Sequence, residues 1–170
     1  FLQGQLHHGF AWSAGEIGYM GVSGVPREPL RVRSTGQLER AIGGAGIEAV
    51  WLRLLKHAGS ASDETLTRLR APQIFDLALD GDRLAGEVLL YTARILANCL
   101  VDLALSLNPE TIVLGGGVGS HPELCRLTQK LLQQNELARP ALCASTLGTQ
   151  AQLHGAISLS LSAIESTLLT

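Results

Sequence analysis

The strongest hydrophobic pattern in the chain runs from Arg83 to Leu107. This stretch has no Pro and one Gly, Gly86, and its polar residues Arg83, Glu87, Arg94, Asn98 and Asp102 fall at intervals of four, seven, four and four. That spacing predicts a helix with one narrow polar stripe, apolar almost all round and roughly 35 Å long at 1.5 Å per residue. Asp82 suits its N-cap, and Asn108-Pro109 ends it because the residue before Pro is pushed out of the helical region. Such a helix must be covered on two sides, between layers or at a subunit contact.

Weaker patterns divide the rest of the chain. Residues 1–35 read as a strand arm over Phe1–His8, followed by a long loop punctuated by Gly9, Gly15, Gly18, Gly21, Gly24, Pro26 and Pro29. Loops of that length are usually functional or disordered, and Trp12, Ile17, Tyr19 and Met20 argue for order. Residues 36–110 form a helical region. Ile47, Val50, Trp51, Leu54 and Leu55 make an amphipathic stripe, Ser62 or Asp63 suits a cap, and Pro72 suits the first turn of a helix through Leu79. Over residues 111–170 a buried strand, Thr111–Leu114, meets the run Gly115–Gly119. Ser120 and Glu123 then stand at capping-box spacing before a helix with Leu124, Leu127 and Leu131 on its inner face. A second strand over Ala141–Ser145 precedes a terminal helix from Thr149, with Leu153, Ile157, Leu161, Ile164 and Leu168 on one face. Strand, Gly turn, helix, strand, helix is an α/β arrangement with parallel strands.

Composition narrows the functional classes. The 170 residues carry a net charge of -2, so the chain as a whole offers no basic surface for nucleic acid or acidic membrane. Apolar runs are a few residues long, so no membrane span is expected despite a mean hydropathy of +0.22. Only 16% of residues are charged, below the usual ~25%, which suits a surface hidden against a partner. Cys99, Cys125 and Cys143 are too few and too scattered for a disulfide framework, no Cys-x-x-Cys occurs, and a reducing, cytoplasmic setting is expected. The opening Phe1-Leu2-Gln3 is not a signal peptide and reads as a chain that starts in mid-strand.

Candidate chemistry is sparse. The turn Gly115-Gly116-Gly117 lets a ligand approach backbone closely, with a helix N-terminus behind it to favour an anion or polar group. It serves equally well as a tight structural turn. Glu16 sits in the Gly-rich loop among apolar neighbours, where a carboxylate needs donors such as sugar hydroxyls; the plain alternative is a surface loop Glu. Glu39 is the second candidate carboxylate and serves equally well as an ordinary first-turn helix Glu. His7 and His8, adjacent in a strand, point to opposite faces and cannot share a metal, while His57, His121 and His154 read as surface or helix-end residues. Arg27, Arg31, Arg33 and Arg40 near Glu28 and Glu39 read as a solvated loop.

In order, the chain presents Gly15-Glu16-Ile17-Gly18-Tyr19, Gly36-Gln37-Leu38-Glu39, Gly81-Asp82 and Asn108-Pro109-Glu110-Thr111-Ile112-Val113-Leu114-Gly115-Gly116-Gly117-Val118. It resembles the C-terminal half of the ROK family of sugar kinases and sugar-responsive repressors, which have an actin-like, ribonuclease-H-like ATPase fold. The resemblance implies an α/β C-terminal lobe, incomplete at its N-terminus. It implies that Glu16 and Glu39 bind sugar hydroxyls, and that Gly115, Gly116 and Gly117 lie against the adenosine of ATP. That reverses the plain readings of both carboxylates and makes the Gly-rich segment a sugar-site loop.

The sequence also departs from the family pattern. Tyr19 stands where family members have a His that touches sugar and zinc, and Leu30, Val32 and Gln37 stand roughly where three zinc cysteines would be. No zinc is expected, as in the branch that includes β-glucoside-kinase-like proteins, and Tyr19 retains a hydroxyl that can donate to sugar. The family's phosphate loops and catalytic Asp have no counterpart in these residues. The resemblance therefore implies a lobe inactive alone that, joined to its N-terminal lobe, uses ATP with Mg2+ to phosphorylate a hexose, glucoside or amino sugar. A homodimer is expected. Two rivals stand beside this reading. One is the sugar-sensing lobe of a repressor, with DNA as partner only if a helix-turn-helix precedes the chain; the other is a non-catalytic dimerisation module.

Overall fold

The computed structural model describes residues 4–27, 29–31, 34–137 and 139–168, excepting the side chains at 149, 162, 163 and 165–168. A 3-10 turn, Ile17–Tyr19, is followed by helices α1 (Gln37–Ile42), α2 (Gly44–His57), α3 (Glu64–Thr67), α4 (Ala71–Leu79) and α5 (Arg83–Leu107). Strand β1 (Thr111–Leu114), helices α6 (Gly116–Gly119) and α7 (Pro122–Leu132), strand β2 (Ala141–Ala144) and helix α8 (Ala151–Leu168) complete the order.

Helix α5 organises the molecule, with α2, α4 and α7 packed around it. The Asp82 carboxylate accepts the Ala85 N–H at 2.8 Å and so caps the helix, while Asn108 ends it in the left-handed conformation at φ 44°. Its buried positions, among them Ala85, Val88, Leu89, Ala93, Leu96, Ala97 and Leu100, recur at three- and four-residue steps. They meet Ile47, Trp51 and Leu55 of α2, Ile74 and Phe75 of α4, and Leu124 and Leu132 of α7 in one core cluster. Two polar groups of this core are paired, whereas Thr128 Oγ1 of α7 is buried without a hydrogen-bond partner. Thr92 Oγ1 donates to Val88 O at 2.9 Å, and Trp51 Nε1 donates to Leu66 O at 2.8 Å, tying α2 to α3.

By length and composition α5 does qualify as a candidate membrane span, with a mean hydropathy of 1.7, so the expectation drawn from short apolar runs is corrected. Half of its most apolar window is buried by neighbouring helices, as in the core helix of a globular fold.

The strands pair in parallel, Thr111 with Ala141 through Leu114 with Ala144, and Gln129 Oε1 accepts the Leu142 N–H at 2.7 Å to fasten α7 to β2. The strands are not buried on both faces as expected. Ile112, Leu114 and Leu142 turn to the core, whereas Val113 and Cys143 are exposed, because among the described residues this sheet has two strands and helices cover one face.

Three further expectations change. Among residues 4–8 extended pairing is limited to a β-bridge at Gln5, with Gly4 at φ 78°; Phe1, Leu2 and Gln3, the rest of the expected arm, lie outside the described residues. Ser120 does not make a capping box: its hydroxyl donates to Gly116 O, Pro122 sets the first turn of α7 with His121 as N-cap, and Glu123 forks onto Arg126. The terminal helix forms from Ala151, but Leu153, Ile157, Leu161 and Ile164 are exposed along it; the side chains of Thr149 and Leu168 lie outside the described residues.

Candidate functional site

Two glycines bring Glu39 against the turn that carries Glu16 and Tyr19, although Glu39 does not line the cleft those two share. A Cβ on Gly36 would lie 1.9 Å from Gly18 O and 2.6 Å from Tyr19 N, so a glycine alone lets the start of α1 press on the Glu16–Tyr19 turn. Across that contact Glu39 folds over Gly18, its Oε2 3.7 Å from the position a Gly18 Cβ would take. Glu39 is therefore both a first-turn residue of α1 and a neighbour of the turn that carries Glu16 and Tyr19. Both carboxylate residues are exposed, and Tyr19 is half-buried with its hydroxyl 3.4 Å from Arg31 O.

Glu16 and Tyr19 line an open cleft of about 640 Å3 together with Trp12, Ser13, Leu30 and Arg31. Trp12 does not order the loop by burial as its apolarity suggested; it is 78% exposed, at φ 58°, with the His8 ring 4.2 Å away. The loop's internal anchor is instead Gln37. Its Nε2 donates to Pro26 O at 2.6 Å from a buried position at the start of α1.

These residues do not suit the zinc of the wider family pattern. Leu30 has no donor atom, Gln37 carries a neutral amide instead of a thiolate, with its Nε2 given to Pro26 O, and Val32 lies outside the described residues. Among the described residues no three His, Cys, Asp or Glu side chains gather as a metal site.

The Gly115–Gly117 turn differs from the expected strand-to-long-helix turn. Gly116 and Gly117 already belong to α6, and the longer helix starts only at Pro122. Gly116 needs its lack of a side chain at φ 77°, and a Cβ at Gly116 or Gly117 would meet nothing within 4 Å, so the backbone face is open to a flat ligand. The turn is not remote from the carboxylates. A Cβ on Gly44, at the start of α2, would lie 3.9 Å from Val118 Cγ2, and Gly43 before it packs on Glu39 O. The α1–α2 junction thus joins the two candidate sites.

His121 is the helix-end residue expected, the N-cap of α7, but it is buried. It is 8% exposed, packs edge-on to Phe75 at 5.2 Å, and its Nε2 lies 3.2 Å from Asp76 Oδ1. The partner lies 45 positions away in sequence, so no local spacing announces it. Burial, and secondarily the Asp102 carboxylate, push the Cys99 thiol up to about 11, and its Sγ lies 3.4 Å from Met20 Sδ, just after the Ile17–Tyr19 turn.

The ROK family model matches residues 1–163. The chain belongs to the ROK family. It is 33% identical over 159 residues to the bifunctional enzyme NanE/NanK of Brucella melitensis, which covers 93% of this chain and 27% of that protein. A ROK family protein from Streptococcus pneumoniae, solved in complex with sucrose, superposes with a TM-score of 0.73 at 21% identity, over 96% of this chain and 53% of that one. A ROK glucokinase from Streptomyces griseus, solved with glucose and AMPPNP, superposes with a TM-score of 0.62 at 22% identity, over 74% of this chain and 45% of that one. The fold is that of ROK sugar kinases, a partial α/β domain of the actin-like type. The chain spans about a quarter of that curated relative and about half of those solved structures.

Proposed function

We propose that this chain is the C-terminal lobe of a ROK sugar kinase that transfers the ATP γ-phosphate to a hydroxyl of a hexose, glucoside or amino sugar. The observation that carries the reading is the Gly36–Gly18 contact, which sets the Glu39 carboxylate beside the turn bearing Glu16 and Tyr19. Two carboxylates accept hydrogen bonds from neighbouring sugar hydroxyls and a phenol hydroxyl can donate one, a set that fixes a ring's orientation. Holding the ring still raises the effective concentration of its reactive hydroxyl.

ATP with Mg2+ supplies the phosphoryl group and neutralises its charge when bound. The Gly115–Gly117 backbone offers an open face for the adenosine, and Gly43 and Gly44 couple that turn to Glu39. The sugar hydroxyl forms the new P–O bond as the bond to the leaving ADP breaks. Its proton passes to a base outside this chain, and the phosphate-holding groups also lie outside it, so the lobe alone is inactive. Zinc has no part in this reading. The low charge and the apolar face of α8 support a homodimer, and the cysteine usage supports a cytoplasmic setting.

The test is ADP release by the intact protein with glucose, N-acetylmannosamine and a glucoside. Sugar-dependent ADP release that falls at least tenfold in Glu16→Gln and in Glu39→Gln supports the proposal. Sugar binding without ADP release would favour the sensor reading, and no response to any sugar would refute both.

A further inference from the structure

Trp12 has no part in the phosphoryl-transfer reading, yet it lines the same cleft as Glu16 and Tyr19. Its backbone sits at φ 58°, a region bulky residues rarely enter. The turn around it is closed by Ala14 N–H donating to His8 O at 3.1 Å, and the His8 ring, tilted by 39°, flanks the indole. The loop thus presents the indole instead of hiding it. Phe10, two residues earlier, is fully exposed and outside the cleft, so loop apolarity alone does not put an aromatic ring beside Glu16.

A pyranose ring has a rim of hydroxyls and a face of C–H bonds. The carboxylates suit the rim. An exposed indole suits the face, because C–H groups are drawn to the negative π face and cover apolar surface from water. The cleft of about 640 Å3 has Glu16 and Tyr19 in its lining beside Trp12, with Glu39 next to it across Gly18, and that size accommodates more than one ring. We infer that Trp12 is the stacking platform for a second sugar ring, so that the preferred ligand is a disaccharide or glycoside whose first ring is held by Glu16, Tyr19 and Glu39. This rests on the sugar-kinase reading of the same site.

Calorimetry on the intact protein with glucose, N-acetylmannosamine, cellobiose, maltose and sucrose tests it. At least one disaccharide is expected to bind about tenfold more tightly than glucose, and Trp12→Ala to remove that difference while leaving glucose affinity within about twofold. Trp12→Phe should keep most of the preference. Trp12→Gly, which suits the left-handed backbone, should lose it as Trp12→Ala does. Equal weakening of glucose and disaccharides, selective weakening of N-acetylmannosamine, or a changed oligomeric state with unchanged affinities would overturn the platform. Each of those results leaves the kinase reading standing, whereas silence of every sugar with the wild-type protein overturns both.

Discussion

Gly36→Ala probes the contact on which the site depends. The new methyl group would lie 1.9 Å from Gly18 O, 2.3 Å from its carbonyl carbon and 2.6 Å from Tyr19 N, all backbone atoms that cannot rotate away. Ordinary contact begins near 3.4 Å, so α1 and the Glu16–Tyr19 turn must separate by about 1.5 Å. A misplacement of about 1 Å can cost on the order of 100-fold in catalysis, and overpacking of this kind costs about 1–3 kcal/mol of stability. The assays are sugar titration calorimetry and thermal unfolding of the intact protein, with Gly86→Ala as control. Gly86 lies within α5 and its Cβ would meet nothing within 4 Å, so that variant should gain about 0.5–1 kcal/mol and leave sugar binding unchanged. Wild-type sugar affinity in Gly36→Ala would refute the reasoning.

Three other outcomes are expected. Gly116→Ala should lose about 1–2 kcal/mol because φ 77° is strained for any side chain, and AMPPNP affinity should fall with it, read by denaturant unfolding and calorimetry. Phe75→Ala should cost about 3–5 kcal/mol, measured by denaturant unfolding, since the ring is fully buried where α4 meets the core. In native-state alkylation by iodoacetamide at pH 8, exposed Cys143 should react first and buried Cys99 last. The Cys99 thiol is raised from 9.0 to about 11 in the fold, so its contribution is intact below pH 9 and is lost as pH rises through 11; melting of Cys99→Ala should show a weaker alkaline decline than wild type.

Local signals marked the elements well. Helix α5 was legible because Pro is absent, Asp82 caps one end and Asn108-Pro109 closes the other, all within its own sequence. Pro72 in the first turn of α4 and the Asp63 cap of α3 were read from the same kind of signal. The capping box failed because Pro122 decides where α7 begins, and a spacing of Ser and Glu carries no information about that. Strand exposure was illegible too, since a β-branched run looks the same whether one face or two are covered. Helix α8 has the expected apolar stripe, but a stripe does not say what covers it.

For the candidate site, the resemblance supplied Glu16, Tyr19 and Glu39, and the structure shows how Glu39 comes to lie against the turn that carries the other two. Gly36 and Gly18 stand 18 positions apart, and nothing local in either glycine says that one backbone rests on the other. The burial of His121 against Asp76 and Phe75, and the exposure of Trp12 in the cleft, are likewise products of tertiary packing.

A double-mutant cycle over Glu16→Gln and Glu39→Gln, read as sugar Kd by calorimetry on the intact protein, tests the central claim that these carboxylates form one sugar site. Each single variant is expected to weaken binding by about tenfold or more, with a coupling of at least about 0.5 kcal/mol between them. Wild-type affinity in both single variants would contradict it.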